Sequence, residues 1–521
     1  MSGFREAMQK GEEFVITCEH VPGRGHAGKR LDRILRFAER VVVSGGVHAL
    51  SLTDNAGGNP ALSADVLGLR LVAMGVDTII HFSCKDMNRN AMEARSYALK
   101  RCGLTNLLVM SGDYPISGFL GIPKPVFDID SVIALHYLKK MSTGLEVSEG
   151  SRTRVLPSAD FYLGGTVSPF KWTEASCVSQ YDKLEKKIRA GVDFIIPQLG
   201  FDSRKHEELI RYVRDYLGLS IPVLGSIYLL TAGAGRYMNT GKVPGCFVSD
   251  ELAAALQEES KSPDKGKGAR LERGARQLAI LKGLGYRGAH IEGLDLTYEE
   301  VQHVVGRGEE IGENWRDQLE ELSSAPSLPG QRFYMFEGGE ALPGTKTPSP
   351  PVLRRTPKRR VFSFNYRLMR IFHHLCFVEG SPGYRMARAL VKWSEKRKRI
   401  SNGLAGAEHL AKKVLLDCME CDDCAVFDTH YLCPESQCPK SMRIGPCGGA
   451  RPDGKCEVFE DRDCLWERVY WRAKNVGELE KMKPIRAPRN WALYMTSSWA
   501  NYFLKRDRSG VDLDIPSDIE R

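Results

Sequence analysis

Two sets of residues in this 521-residue chain have side chains suited to chemistry. The first is Glu19, Asp113 and Gln198, each in or just past a short apolar run: ITCEH, NLLVMSGD and FIIPQLGFD. An acid in a partly dry pocket, its pKa raised, can donate a proton. A carboxylate and an amide together can fix the edge of a flat polar heterocycle. Gln198 interrupts an otherwise apolar run, and a buried amide must find partners, of which a ligand is one. The second set is eight cysteines, Cys418, Cys421, Cys424, Cys433, Cys438, Cys447, Cys456 and Cys464, spaced C-x2-C-x2-C-x8-C-x4-C-x8-C-x8-C-x7-C. Such crowding in a reducing compartment argues for metal rather than disulfides. Eight thiolates can fill two four-ligand sites. The opening C-x2-C-x2-C resembles the run that feeds a 4Fe–4S cluster. Zinc held by four cysteines per site is the structural alternative, and a metal-free module is the third. With a cluster the module can pass electrons; with zinc it only braces the fold.

The first set must be positioned by strands. Eight apolar runs read as strands: 14–22, 48–56, 78–84, 106–113, 161–169, 194–202, 221–229 and 288–294. Segments of helical periodicity lie between them, among them LDRILRFAERVV, NAMEARSYALKRCG, SVIALHYLKKM, DKLEKKIRAG and EELIRYVRDYLG. Apolar strands alternating with amphipathic helices imply a parallel sheet covered on both faces. Eight such units over roughly 300 residues predict an α/β TIM barrel. The absence of G-x-G-x-x-G after the first strand disfavours a dinucleotide-binding Rossmann sheet. In a barrel, chemistry sits at the carboxyl ends of the strands. The polar residues gathered there are Glu19 and His20; Thr53, Asp54 and Asn55; His81, Ser83 and Cys84; Asp113; Gly164, Gly165, Thr166 and Ser168; Gln198 and Asp202; Ser226 and Tyr228; and Glu292. Each has a plainer alternative. Glu19 could make a strand-end salt bridge, Asp113 could cap a turn before Pro115, and His81 could be a structural histidine. Their joint placement at one barrel end is the signal.

The chain divides into a barrel over 1–325, a Pro/Gly-rich basic linker over 326–362, and a helical, cysteine-rich region over 363–521 with its metal module at about 415–473. Composition is that of a soluble globular protein, 42% hydrophobic and 27% charged, with a formal charge of +9. The basic runs 354–360 and 392–399 lack aromatic interleaving or any nucleic-acid motif, so they read as solvated surface and no nucleic-acid partner is expected. No run reaches the ~20 apolar residues that span a bilayer, and the N-terminus lacks a signal-peptide core. A cytoplasmic protein without membrane contact is the expectation.

The stretches ITCEHVP, LTDNAGGNP, IIHFSCKDMNRN, LLVMSGDYP and KKIRAGVDFIIPQLGFD, in this order and spacing, resemble the methylenetetrahydrofolate reductase family. IGPCGG and GKCEV resemble the C-terminal cysteine-rich domain fused to, or partnered with, some of its members. The resemblance implies a TIM barrel that holds a flavin, FAD or alternatively FMN. It implies reduction of 5,10-methylenetetrahydrofolate to 5-methyltetrahydrofolate in one-carbon and methionine metabolism. Electrons would come from NAD(P)H or through an iron–sulfur module, with folate as substrate and nicotinamide or an electron-carrier protein as donor; a homo-oligomer is left open. Carried over by motif, Glu19 is the acid that opens the imidazolidine ring, and Asp113 sits beside flavin and pterin. Gln198 and Phe201 bind folate. Thr53, Ala56, His81, Gly112, Gly164, Lys186 and Lys187 lie along the flavin and its phosphates. Two features depart from the family pattern: GGTVSPFKW after strand five, and Ser111 where a basic residue is common. Other readings are the same reaction run as methyltetrahydrofolate oxidation, or a pterin-dependent methyltransferase, for which no D-x-H-x-x-G cobalamin signature is present.

Overall fold

Eight parallel strands form the barrel: β1 (Val15–His20), β2 (Ala49–Leu52), β3 (Thr78–Ser83), β4 (Asn106–Met110), β7 (Tyr162–Val167), β8 (Phe194–Pro197), β9 (Leu224–Tyr228) and β10 (Gly288–Glu292). In this computed structural model the described residues are 3–319, 322, 333–336, 362–508 and 513. The strands pair in the order β8-β7-β4-β3-β2-β1-β10-β9, and a parallel bridge from Ile195 to Val223 closes β8 onto β9. All eight expected strands are present, each shorter than its apolar run. The chain adds a hairpin that periodicity did not flag, β5 (Glu146–Glu149) and β6 (Arg152–Val155). The linker expected over 326–362 falls, apart from 333–336 and 362, outside the described residues.

The amino-terminal end of the barrel is plugged. The helix Phe4–Lys10 drives Phe4 against Tyr162 and Phe194, with ring centroids 6.0 and 5.4 Å away. Leu108, Ile79, Ile196 and Leu224 fill the layer around them. The barrel interior therefore holds a packed floor, and its open space lies at the carboxyl end. Helices such as Lys29–Ser44, Arg89–Arg101, Ser131–Met141 and Glu174–Arg189 cover the outside.

After the linker, three helices, Phe364–Cys376, Pro382–Glu395 and Lys398–Leu416, lead into cysteine-bearing loops and the helix Leu465–Asn475. This last helix packs on Glu174–Arg189. Trp466, Val469, Tyr470 and Ala473 share a buried cluster with Ala175 and Phe127 of the barrel. Among the described residues, no helix is long and apolar enough to cross a membrane.

His206, in the helix Ser203–Ile210, packs edge-on to Phe170 and lies 3% exposed. Neither ring nitrogen has a hydrogen-bonding side-chain or backbone partner among the described residues. Burial lowers its pKa from the ordinary 6.5 to about 4. The unfolded chain thus takes up this proton at higher pH than the fold does, so stability is lost as pH falls from 6.5 toward 4. Urea unfolding of His206→Phe should show a shallower acid decline than wild type across that window. Parallel curves would contradict it.

Candidate active site

A cavity of about 320 Å³ opens at the carboxyl ends of the strands. Its walls include Glu19, Thr53, Ala56, His81, Gly112, Asp113, Lys187 and Gln198, eight of the expected site residues. Glu19 leaves β1 between two histidines: its Oε2 lies 3.9 Å from His81 Nε2 and 3.9 Å from His290 Nε2. Ser51 Oγ holds the His81 ring at 2.8 Å, and Thr17 Oγ1 holds His290 Nδ1 at 2.7 Å. Burial alone would raise the Glu19 pKa, but His290 and the other nearby histidines bring it below the usual carboxylate value. The raised pKa falls instead on Glu292, where burial and the Glu19 charge push it well up.

Asp113 is fixed from two sides. Its Oδ2 accepts from Gly57 N at 2.8 Å. The turn that supplies this donor needs glycine at 58, where φ is +72° and a Cβ would meet Tyr114 O at 2.1 Å. Gly112, at φ +88°, lies against Ser83 in the same way, its would-be Cβ 2.2 Å from Oγ. These close approaches pin the AGG turn to the SGDYP loop and aim Asp113 into the mouth. Burial raises the Asp113 pKa, and Lys440 opposes the shift. Lys440 comes from the cysteine module. It is 3% exposed, donates to Gly112 O at 2.9 Å and pairs with Glu457. Lys440 thus brings a buried cation to this loop from the other end of the chain.

The module forms the roof of the cavity through Pro446, Cys447, Gly448, Gly449 and Glu457. Its loop is held by buried lysines of the barrel. Lys171 Nζ donates to Gly448 O at 2.5 Å and Ala450 O at 2.7 Å. Lys183 reaches Gly445 O at 3.3 Å and Asp130 at 3.2 Å. Lys186 reaches Ile444 O at 2.8 Å and Met482 O. Burial lowers the Lys186 pKa to about 8 and that of Lys187, bonded to Thr166, to about 7. Lys186, expected along a flavin, therefore faces the module backbone, not the cavity.

Two more expected residues also lie outside the cavity walls. A Cβ on Gly164 would stand 2.4 Å from the Phe194 ring, so this glycine makes room for the barrel floor. Phe201 is buried in an apolar cluster with Leu230, Met238 and Val248 behind the mouth. Sequence reasoning named none of His290, Gln180, Lys183, Lys440 or Glu457 as site residues, yet all line the cavity. His290 had a signal: it stands two residues before Glu292 on one strand, hence on the same face. Lys440 and Glu457 had none.

Four wall atoms have no hydrogen-bond partner among the described residues: Thr53 Oγ1, Ser168 Oγ, Gln180 Nε2 and Glu457 Oε2. Buried polar atoms without partners are rare in native folds and mark places where a ligand completes the bonding. The eight cysteines fall into two sets. Cys418, Cys421, Cys424 and Cys433 line one small cavity of about 20 Å³. Cys438, Cys447, Cys456 and Cys464 neighbour one another at the roof. Backbone N–H groups point at several sulfurs, including Glu420 N to Cys418 and Gly449 N to Cys447, each at 3.4 Å. Residues in the left-handed backbone region, among them Asp417, Glu420, Asp422 and Ser441, turn the chain around these thiols.

The family model described as Methylenetetrahydrofolate reductase matches residues 4–304. The chain belongs to the methylenetetrahydrofolate reductase family. A second model, described as Methylene-tetrahydrofolate reductase C terminal, matches residues 398–492. A probable methylenetetrahydrofolate reductase (NADH) of Oryza sativa is 22% identical over 56% of this chain and 48% of its own length. A probable methylenetetrahydrofolate reductase (NADPH) of Caenorhabditis elegans is 25% identical over 38% of this chain and 27% of its own. The chain thus spans about half the length of the rice relative, and less of the nematode one. Among solved structures, an uncharacterized protein from Clostridium thermocellum, described as binding two copies of 5-methyl-5,6,7,8-tetrahydrofolic acid, aligns over 60% of this chain and 99% of its own. That alignment has 11% identity and a TM-score of 0.42. Within this family assignment, the residues at the cavity are those that the motifs ITCEHVP, LTDNAGGNP and LLVMSGDYP bring to the mouth.

Lys186→Met strips the donor from two carbonyls, Ile444 O and Met482 O. Leaving buried acceptors unpaired costs about 1–3 kcal/mol. Amides of the helix Leu465–Asn475 should exchange correspondingly faster with deuterium, while those of β1 and β2 stay unchanged. Equal protection in the variant would show that these bonds do not hold the module down.

Proposed function

We propose that this protein is a flavin-dependent methylenetetrahydrofolate reductase whose cysteine module delivers electrons to the flavin. The observation that carries the reading is the convergence of Glu19, Asp113 and Gln198 on one cavity beneath a cysteine-bearing roof. Thr53 Oγ1, Ser168 Oγ and Gln180 Nε2, unpartnered in the walls, fit a polar ring system. Thr53, Ala56, His81, Gly112 and Lys187 would hold the flavin. When bound, a flavin supplies the hydride chemistry, and the protein supplies position and electrostatics.

The chain's own residues account for the rest. Asp113, held by Gly57 N, and Gln198, whose Oε1 accepts from Leu199 N at 3.0 Å, offer a carboxylate and an amide to the edge of a pterin. Glu19 stands where a proton is needed as the imidazolidine ring opens to the reactive iminium. Lys440 places a positive charge on the Gly112 loop and steadies anionic character nearby. The roof loop Pro446–Gly449 keeps bulk water from the reacting centre, which strengthens each of these interactions.

The cysteine sets support iron–sulfur clusters over zinc. Four thiolates around one zinc at about 2.3 Å stand roughly 3.8 Å apart. Among the described residues, the groups of three or more metal-binding side chains gathered within 4.8 Å are Glu19–His290–Glu292 and Glu408–His409–Asp422, and neither contains a cysteine. The wider spacing and the N–H groups aimed at sulfur suit a larger cluster, whose potential such hydrogen bonds tune. Cys447 lies both in the roof set and in the cavity wall, so a cluster there would adjoin the flavin.

Protein purified without oxygen should be yellow-brown and contain flavin and iron. Glu19→Gln should keep flavin and still accept electrons, yet reduce methylenetetrahydrofolate about 10²- to 10⁴-fold more slowly, the range of a positioned proton donor. Near wild-type folate reduction by that variant would remove Glu19 from the role. Cys447→Ser should lose about half the iron, as one of two clusters fails. It should also stop reduction of the flavin by a one-electron dye while leaving folate binding intact. Full reduction of wild-type flavin by NADH or NADPH alone would instead favour a nicotinamide donor.

A further inference from the structure

Glu19 is not the only acid at the bottom of the mouth. β1 and β10 pair with Cys18 opposite Ile291, which sets Glu19 and Glu292 side by side at the strand exits. The carboxylate oxygens of both, with a ring nitrogen of His290, lie within 4.8 Å of one another. Glu292 is 7% exposed and His290 1% exposed. The Glu19 side chain is 22% exposed. Two carboxylates this close, one of them buried, cannot both carry charge at low cost, so such a pair shares a proton.

We infer that Glu292 stores the proton that Glu19 delivers to the folate, so that the two carboxyl groups work as one acid. The inference rests on the reductase reading above. The groups around the pair favour this division. Glu19 faces His20, His81 and His290, of which His20 and His81 are themselves pushed down to about 4 by burial. Glu292 faces Glu19, His290, Tyr228, Cys246 and Ser226, with the Glu19 charge and its own burial acting against ionisation. Burial raises the Glu292 pKa well above the carboxylate range, whereas that of Glu19 is lowered. The separation between the groups is within reach of one bridging water. In the step itself, the bond from the bridging methylene carbon to N10 breaks and its electron pair goes to N10. N10 takes the proton from Glu19, and the N5 lone pair forms the iminium. That proton reaches Glu19 from Glu292, so the pair is left as two carboxylates until Glu292 recovers a proton from solvent. Glu292 is therefore a positioning residue that acts through Glu19.

The test uses the full-length, flavin-loaded chain. Infrared spectra of wild type at neutral pH should contain the carbonyl stretch of one buried protonated carboxyl group, absent from Glu292→Gln and retained in Glu19→Gln. With pre-reduced flavin, Glu292→Gln should transfer hydride to methylenetetrahydrofolate about 10²-fold more slowly, with flavin content and KM unchanged. The alkaline limb of its pH profile should move to lower pH, because Glu19 alone, its pKa low, must now hold the proton. Glu292→Asp, which keeps a carboxyl, should recover part of the rate. A band lost in Glu19→Gln but kept in Glu292→Gln would overturn the inference, as would an unaltered rate and pH profile in Glu292→Gln. Stoichiometric binding of added Zn²⁺ that vanishes in Glu292→Gln would also overturn it, by making the trio a cation site. If wild-type reduced flavin is not oxidised by methylenetetrahydrofolate, the reductase reading fails, while the infrared band still decides which acid holds the proton.

Discussion

The structure depends on buried ammonium groups that find their partners in another part of the chain. Lys171, Lys183 and Lys186 are each 3% exposed or less and donate to carbonyls of the module segment Ile444–Ala450. An ammonium taken out of water is tolerated only when its protons are bonded and its charge is met. Withdrawing the module would leave these donors and their acceptors stranded together. The docking is therefore specific in register: the carbonyls must arrive where the lysines stand. Glu467 against Thr173 and Ser176, and Glu174 against Tyr470 and Lys474, extend the same logic along the helix pair.

This docking makes the site. The barrel alone supplies Glu19, Asp113 and Gln198 around an open mouth; the module adds the roof, a cation and a thiol. Lys440 is the clearest case. It pairs with Glu457 inside the module and donates to Gly112 O of the barrel, so one buried side chain ties the cysteine loops to the acid next in sequence. Glu457 also lies 3.7 Å from Cys447 Sγ. These polar contacts run from Cys447 through Glu457 and Lys440 to the Gly112 carbonyl, one residue before Asp113. Enclosure lowers the local dielectric and makes each charge count for more.

The same enclosure separates the acids. Glu19 has histidines on both sides and a pKa below the usual value, whereas Glu292, more deeply buried and facing the Glu19 charge, is pushed up. Two residues of one type, adjacent in the barrel, acquire different protonation because their neighbours differ. Asp113 sits between these cases, raised by burial and drawn back by Lys440.

The strands and their order of polar exits were legible because period and apolar content are local properties. Each of the eight runs became a barrel strand, and eight of the expected residues reached one cavity. Gly164, Lys186 and Phe201 did not, since a motif tells which residues accompany a strand but not which way each side chain turns. Gly164 serves the packing of Phe194, Phe201 an apolar cluster, and Lys186 the module. Strand period and cysteine spacing are written along the chain, so the barrel, the acids Glu19, Asp113 and Glu292 at strand exits, and the eight thiols could be read there. Folding alone settles that the thiols divide into two sets, that one roofs the mouth, and that Lys440 reaches the Gly112 loop. Lys440 and Gly112 are 328 positions apart; their contact exists only once the buried lysines of the barrel have captured the module backbone.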